Sequence, residues 1–421
     1  MQLIVLFLLI IIIILLIIIV DLLPIIRNWI LRIKIGRYEN SLQWNKDITY
    51  IGAKWLNKTP NIKITDNKRL IVLDILKGNY SNDSLQSWQE ASLILGIIGY
   101  LKHNKDIVVI NNIKQFLDSK FDENGQWKVK PKHVDSVILA YAIQNLDFIN
   151  HDKYKLAMDY TWELIRNHIG EDGTVMYRKS MPNYRYVDTI GFICPFLVSY
   201  GINNKKEECI ELAINQIEKY VEYGMLDQSF LPSHAYDCIT KLPLGLYGWG
   251  RGLGWFAIGL IDSWNELVET HEYKYKLEKI IKRFAVDTIQ FQQKEGNWNW
   301  TVTRNESRAD SSATATLGWF YLNAAKIDDI SDICIEKAVS AMKYLQKVTR
   351  RNGEVDFSQG DTKDIGVYSN SFDIFPFTQG FCIRSSNLYL DIINRNNQFE
   401  RLGENEEEET LNENNCIHPN V

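Results

Sequence analysis

GWFAIGLIDSW, residues 254–264, is apolar nearly all the way round a helical wheel. A helix with no polar face has no side to give to water, so it is buried on every side. Five more stretches share this character: EASLILGIIGYL (90–101), DSVILAYAIQNL (135–146), DTIGFICPFLVSYG (188–201), SSATATLGWFYLNAA (311–325) and GFCIRSSNLYLDII (380–393). Amphipathic, charged stretches alternate with them, at 106–121, 152–169, 205–224, 273–293 and 332–348. These want one face in water. The apolar starts recur every 45 to 69 residues. A helix-pair repeat of that period is a closed ring or a solenoid. Six buried helices inside charged outer ones predict an all-α (α/α)6 barrel of six helical hairpins.

The connections repeat as well. DENGQW (122–127), EDGTVMY (171–177), KEGNWNW (294–300) and RNGEVDF (351–357) each place a glycine after acidic or amide residues and before an aromatic or apolar run. The glycine suits a tight turn after an outer helix. Each such loop leads into an inner helix, so the inner helices all begin at one end of the barrel. A site at that end collects residues from every repeat.

The N-terminus is of another kind. From Leu3 to Val20 no side chain is charged or polar, which is about the length needed to cross a bilayer. A cleaved signal peptide has a basic start and a small-residue cleavage site, and neither is present here. The stretch therefore reads as an uncleaved single-pass transmembrane anchor over 1–26. Arg27, Arg32, Lys34 and Arg37 follow it and no Lys or Arg precedes it, which places the downstream domain in the cytoplasm. The expected organisation is an anchor at 1–26, a juxtamembrane linker at 27–45, the catalytic barrel at 46–402 and an acidic disordered tail at 403–421.

Composition narrows the function. The net charge of −5 gives no broad nucleic-acid-binding surface. Twelve Trp and 21 Tyr in 421 residues fit either a large core or a carbohydrate groove, since rings stack on the apolar faces of sugars. None of the six cysteines stands in a CxxC pair. They read as scattered core thiols, with no zinc site and no disulfide framework. Free thiols also agree with a cytoplasmic domain. No metal cluster and no phosphate-cradling loop is visible, so no cofactor is expected.

The inner-helix starts supply the candidate residues. They are Asp135 in KHVDSV, Asp188 in YRYVDTIGF, His234 and Asp237 in PSHAYD, Trp249, Arg251 and Trp255 in YGWGRGLGW, Asp310, Ser312 and Thr314 in RADSSATAT, and Gln379 in FPFTQG. Each has a plainer reading. An Asp at a helix start is a favoured N-cap, which stabilises by about 1 kcal/mol. A single His is a hydrogen-bonded structural residue, and SSATAT is small-residue packing between helices. Arg251 is harder to place in a core, because a buried cation needs a partner. That partner is either an internal carboxylate or the carboxylate of a substrate, which Arg binds with two parallel hydrogen bonds.

YVDTIGFICPFLVSYG, SHAYD, WGRGLGW and DSSATA, in that order, resemble the unsaturated glucuronyl and rhamnogalacturonyl hydrolases, glycoside hydrolase families 88 and 105, with family 105 the nearer. The resemblance spans roughly residues 70–395. It implies an (α/α)6 barrel that acts on oligosaccharides ending in a 4,5-unsaturated uronic acid, by hydration of the double bond. It also implies Asp188 as general acid and base, and Asp135 as an assisting carboxylate that raises the Asp188 pKa. His234 and Arg251 would hold the substrate, Trp249 and Trp255 would shape or stack on the sugar, and Asp310, Ser312 and Thr314 would line the binding site. The sequence departs from the family pattern at Leu253, where Asn is usual, at Thr189–Phe192, and at Asp310, where Glu is common.

Two other readings differ at testable points. One is a glycosidase on the same barrel that acts on a saturated glycan through two carboxylates. The other is a membrane-anchored, non-catalytic glycan-binding protein of envelope polysaccharide assembly, which would not depend on Asp188.

Overall fold

The computed structural model describes residues 1–82 and 84–394. The tail expected at 403–421 and Cys416 lie outside them. The helices are α1 (Gln2–Arg32), α2 (Ser41–Asn57), α3 (Ile71–Leu76), α4 (Ser87–Leu101), α5 (Ile107–Lys120), α6 (Val137–Gln144), α7 (His151–Arg166), α8 (Val187–Asn204), α9 (Glu207–Tyr223), α10 (Gly250–Glu266), α11 (Glu272–Ile289), α12 (Ser311–Ala324) and α13 (Ser331–Lys347). A last helix, α14, covers 376–394. Seven strands of two or three residues decorate the loops: β1 (Tyr184–Tyr186), β2 (Met225–Leu226), β3 (Leu231–Pro232), β4 (Ala235–Asp237), β5 (Pro243–Leu244), β6 (Ser358–Gln359) and β7 (Phe372–Asp373).

The all-round apolar helices form the inner ring. Helices α4, α6, α8, α10 and α12 pack in sequence order, each against the next. Helix α14 closes the circle. On one side the Ser385 hydroxyl donates to the Ala315 carbonyl of α12 at 3.0 Å. On the other side α14 meets α4 so closely that a Cβ on Gly380 would overlap the Ser92 carbonyl. Only glycine permits that backbone approach.

Five outer helices, α5, α7, α9, α11 and α13, fall on the five charged stretches. The sixth is α2, and its composition hides it. SLQWNKDITYIGAKWLN has no long apolar face, yet Trp44, Ile48 and Trp55 are buried. The Trp44 indole donates to Thr349 Oγ1 at 2.9 Å, and Asn45 donates to Ser386 Oγ and Asn387 Oδ1 at 2.8 Å. Helix α2 begins at Ser41, inside the stretch 27–45 expected as a linker, and α1 runs on to Arg32, past the expected end at 26. The connection between them is 33–40.

The repeated glycine turns are present. Gly125, Gly173, Gly296 and Gly353 have φ of +72°, +74°, +92° and +86°. Three of the turns are flanked by the isolated bridges Phe121–Trp127, Ile169–Val175 and Thr349–Val355. A side chain at Gly296 would also collide with the Ser340 carbonyl of the neighbouring outer helix.

Helix α1 is long and apolar enough to cross a membrane, with a mean hydropathy of 4.1 over its most apolar window. A signal sequence near the N-terminus meets the same criterion of length and composition. Cys194, Cys209, Cys334 and Cys382 are buried free thiols and Cys238 is half-buried.

Candidate active site

A small sheet brings the two halves of the site together. Strand β1 pairs antiparallel with β4, with Tyr186 opposite Ala235. The next amide, Val187 N–H, donates to the His234 carbonyl at 3.0 Å. Asp188 therefore enters the first turn of α8 beside the His234 ring, with 3.8 Å between Asp188 Oδ2 and His234 Nε2. That is too long for a hydrogen bond. Asp188 Oδ2 and His234 Nδ1 are both buried without a hydrogen-bond partner among the described residues. Buried polar atoms are nearly always paired, so two orphans at one place call for an account.

Three aspartates stand at inner-helix starts, and the structure separates them. Asp310 is a cap: its Oδ1 accepts from Ser312 N at 2.9 Å and from Gln359 N at 3.0 Å, and its side chain also takes the Ser312 hydroxyl. Asp188 and Asp135 cap nothing. Asp135 sits in the 3-10 turn Val134–Ser136 ahead of α6, with the Ser136 hydroxyl 3.3 Å away. The plain capping role fits the first aspartate and leaves the other two free for other work.

Electrostatics set Asp188 apart. Burial pushes its carboxyl up to about 7, against the pull of Arg251, with the charge of Asp361 adding to the rise. Its side chain keeps 16% of its surface, so the burial is deep but not complete. The expected cause was the charge of Asp135. The structure gives burial first and Asp361 as the charged neighbour, while Asp135 is itself raised by burial. Burial pushes His234 down to about 4, so its ring is neutral at pH 7. The ring lies among Trp249, Tyr368 and Tyr186, with centroids 4.6, 5.5 and 5.7 Å away.

Arg251 has an internal partner. Its guanidinium lies 4.0 Å from Asp361 Oδ1, donates to Ser312 Oγ at 3.2 Å and to the Gln359 carbonyl, and stacks over Phe375. Trp249 donates its indole N–H to Gln359 Oε1 at 3.0 Å. Trp255 is deeper, wedged among Phe192, Phe377 and Trp88. Ser312 and Thr314 are fully buried, and their hydroxyls bond within the protein, Thr314 to the Asp310 carbonyl and the Trp298 amide. Asp237 caps its own turn at Ile239 and Thr240, and Gln379 ties Val355 to Ile48 and Gly353. Leu253 is buried in the apolar core.

Several neighbours lie outside the helix starts. Gln86 Nε2 donates to Asp361 Oδ2 at 3.0 Å, and the Tyr368 hydroxyl accepts from Leu246 N at 2.9 Å. Tyr177 and Arg178 come from the glycine turn before α8 and act electrostatically on Asp135. The connection 358–375, between β6 and α14, supplies Gln359, Asp361, Tyr368 and Phe375. A large cavity of about 1130 Å³ does not open on Asp188. It lies beneath α1 and shares Ser358, Gly360 and Phe375 with that connection.

The chain belongs to Glycosyl Hydrolase Family 88, whose model matches residues 58–374. None of the curated proteins matches it in sequence. Solved structures share its fold. A possible member of the GH105 family from Salmonella enterica serovar Paratyphi A has a TM-score of 0.72 at 16% identity, over 85% of this chain and 96% of that one. A family 105 glycoside hydrolase from C. acetobutylicum gives 0.65 at 17%, over 76% and 98%. The unsaturated glucuronyl hydrolase of Bacillus sp. GL1, responsible for the degradation of glycosaminoglycan, gives 0.59 at 16%, over 82% and 96%.

Proposed function

We propose that this glycoside hydrolase acts on oligosaccharides whose non-reducing end is a 4,5-unsaturated uronic acid. The observation that carries the reading is the buried Asp188 carboxyl, raised to about 7 with an unpartnered oxygen, beside a neutral His234 and the Arg251 guanidinium. A carboxyl with a pKa near the working pH can give a proton and take one back.

In this reading Asp188 delivers its proton to C4 of the double bond. Positive charge forms at C5, shared with the ring oxygen. The Asp188 carboxylate then takes a proton from a water that adds at C5. The resulting hemiketal opens to a C5 ketone, leaving the ring oxygen on C1 as the hydroxyl of a hemiacetal. That hemiacetal expels the sugar alcohol and leaves an aldehyde. Asp135 assists, His234 and Arg251 hold the substrate, and Trp249 shapes the pocket against the sugar ring. Trp255 packs deeper, against Trp88, Phe192 and Phe377. Asp310 and Ser312 serve the site by fixing the Gln359 backbone and Arg251, and Thr314 serves it by bonding the Asp310 carbonyl and the Trp298 amide. The barrel is held at a membrane by α1 and faces the cytoplasm, as the basic residues after the apolar run favour.

The test is the ultraviolet absorbance of the conjugated double bond, with lyase-generated disaccharides from pectin and glycosaminoglycan sources. Loss of absorbance with the wild type, abolished by Asp188→Asn in a folded protein, supports the hydration reaction. Turnover of a saturated glycan in its place would sink it, as would glycan binding that Asp188→Asn leaves intact and no turnover of any kind.

A further inference from the structure

Helix α1 does not leave the barrel as a free tether. Its partly covered residues are Ile17, Val20, Asp21, Pro24, Asn28, Leu31 and Arg32. That spacing is one face of a helix, and it begins before the apolar run has ended at Val20. Asn28 donates to Asp373 at 2.7 Å, and Arg32 pairs with Asp356 at 2.7 Å. Asp21 accepts from the amides of Leu70 and Ile71 at 2.7 and 2.9 Å, which fixes the start of α3 at the level where the apolar run stops.

What α3 displays at that level is mostly apolar, and its one acid, Asp74, accepts from Thr65 Oγ1 and Asn67 Nδ2 at 2.8 and 2.9 Å. Leu70, Leu73, Ile75 and Leu76 are 53%, 48%, 47% and 78% exposed. Lys68, Arg69 and Lys77 flank them. Beneath α1 lies the cavity of about 1130 Å³, walled by Val20, Leu23, Ile62 and Ile71 on its apolar side. Arg27, Lys54, Lys58, Lys63, Lys68 and Arg308 also line it, beside Arg32 and Arg350. None of these six cations has a carboxylate within 4.0 Å among the described residues. The carboxylates that line the cavity are already engaged, Asp21 by backbone amides and Glu354 and Asp373 by Arg350. An apolar lining at the end of the apolar helix, shared with cations that no carboxylate pairs, matches an anionic phospholipid, with acyl chain and charged headgroup.

We propose that this face of the barrel is a seat on an anionic bilayer, in which Leu70, Leu73, Ile75 and Leu76 enter the interface beside α1 and the basic cavity holds a phospholipid headgroup. The proposal rests on the reading of α1 as a membrane span.

The test uses the full chain in phosphatidylglycerol-containing nanodiscs, with Cys238 and Cys416 replaced by Ser. Spin labels are placed at Ile10→Cys in α1, Leu76→Cys in α3 and Leu156→Cys on α7, remote from this face. Relaxation by oxygen and by a water-soluble nickel chelate reports depth. The proposal expects Ile10 and Leu76 to favour oxygen and Leu156 to favour nickel. Ile10 in lipid with Leu76 in water overturns the seat and leaves the span standing. Ile10 in water overturns both. For the cavity, native mass spectrometry after detergent exchange counts retained phosphatidylglycerol and phosphatidylcholine. Preferential retention of phosphatidylglycerol, several-fold lower in a Lys54→Glu/Lys58→Glu variant, is expected. Equal retention of the two lipids, or no change in the variant, overturns the headgroup site.

Discussion

Asp188 Oδ2 and His234 Nε2 stand 3.8 Å apart, a gap held open by the pairing of Tyr186 with Ala235. The two groups face each other without sharing a proton, because burial moves them in opposite directions. The acid rises and the base falls.

That opposition predicts the pH profile. In the proposed hydration Asp188 must hold a proton to begin the reaction, so kcat/KM should fall as pH rises through an apparent pKa near 7. His234, at about 4, adds no limb between pH 5 and 9. Initial rates of absorbance loss across that range check it. A second limb near 6 would mean that His234 titrates.

Stability should respond to the same group. The folded pKa of Asp188 is raised above its unfolded value of 3.8, so the folded chain holds this proton more tightly. The sign follows: Asp188 weakens the fold progressively between about pH 4 and pH 7, and by a constant amount above that. Asp188→Asn should therefore be more stable than wild type at pH 8, by up to ~4 kcal/mol for a three-unit shift. The carboxyl is 16% accessible, so the gain should fall short of that ceiling. The difference should shrink below pH 4. Denaturant melts at pH 3.5 and pH 8 decide it.

Arg251→Lys keeps the charge near Asp361 and loses the planar fork. KM for an unsaturated uronyl disaccharide should rise by roughly 10- to 100-fold, the worth of a charge-assisted hydrogen bond of about 1.5–3 kcal/mol. The kcat should change less. Arg251→Ala is a different experiment: it strips the cation from buried neighbours, and loss of fold should precede any kinetic reading. Melting curves of both variants separate the two effects.

Asp310→Ala removes an N-cap, the partner of the Ser312 hydroxyl and the acceptor for Gln359 N–H. The cap alone is worth ~1 kcal/mol, and an unpaired buried amide adds ~1–3 kcal/mol. Tm should drop by several degrees, and Asp310→Asn, which keeps an acceptor, should recover much of it. A Tm unchanged in Asp310→Ala would contradict the capping role.

The inner ring was legible because a helix with no polar face admits one explanation. GWFAIGLIDSW and its five relatives all became inner helices. Helix α2 was not legible, since its burial comes from a few large residues such as Trp44 and from contacts with α14, which lies more than 300 residues downstream. In the site, His234 lies between β3 and β4 and reaches Asp188 through the pairing of β1 with β4, whereas Asp188 and Arg251 do stand at helix starts, in the first turns of α8 and α10, as their sequence context suggests. Asp310, Ser312 and Thr314 share that place but spend their hydrogen bonds internally, a distinction that only geometry makes. Asp361 and Tyr368 lie in a long connection without periodicity, and nothing local marks them. Their importance arises from where that connection folds back.

Arg32 shares Asp356 with Arg350, and the Asp356 carbonyl accepts the Ser311 hydroxyl at the head of α12. A helix that only tethers can be exchanged for another by gene fusion with no effect on the domain it carries. This one contributes a side chain to the barrel's own charge network, one residue away from the Asp310 cap. Helix α1 is therefore part of the barrel's charge network as well as a candidate membrane span. A different helix in its place would have to supply the Arg32 guanidinium or leave Asp356 to Arg350 alone.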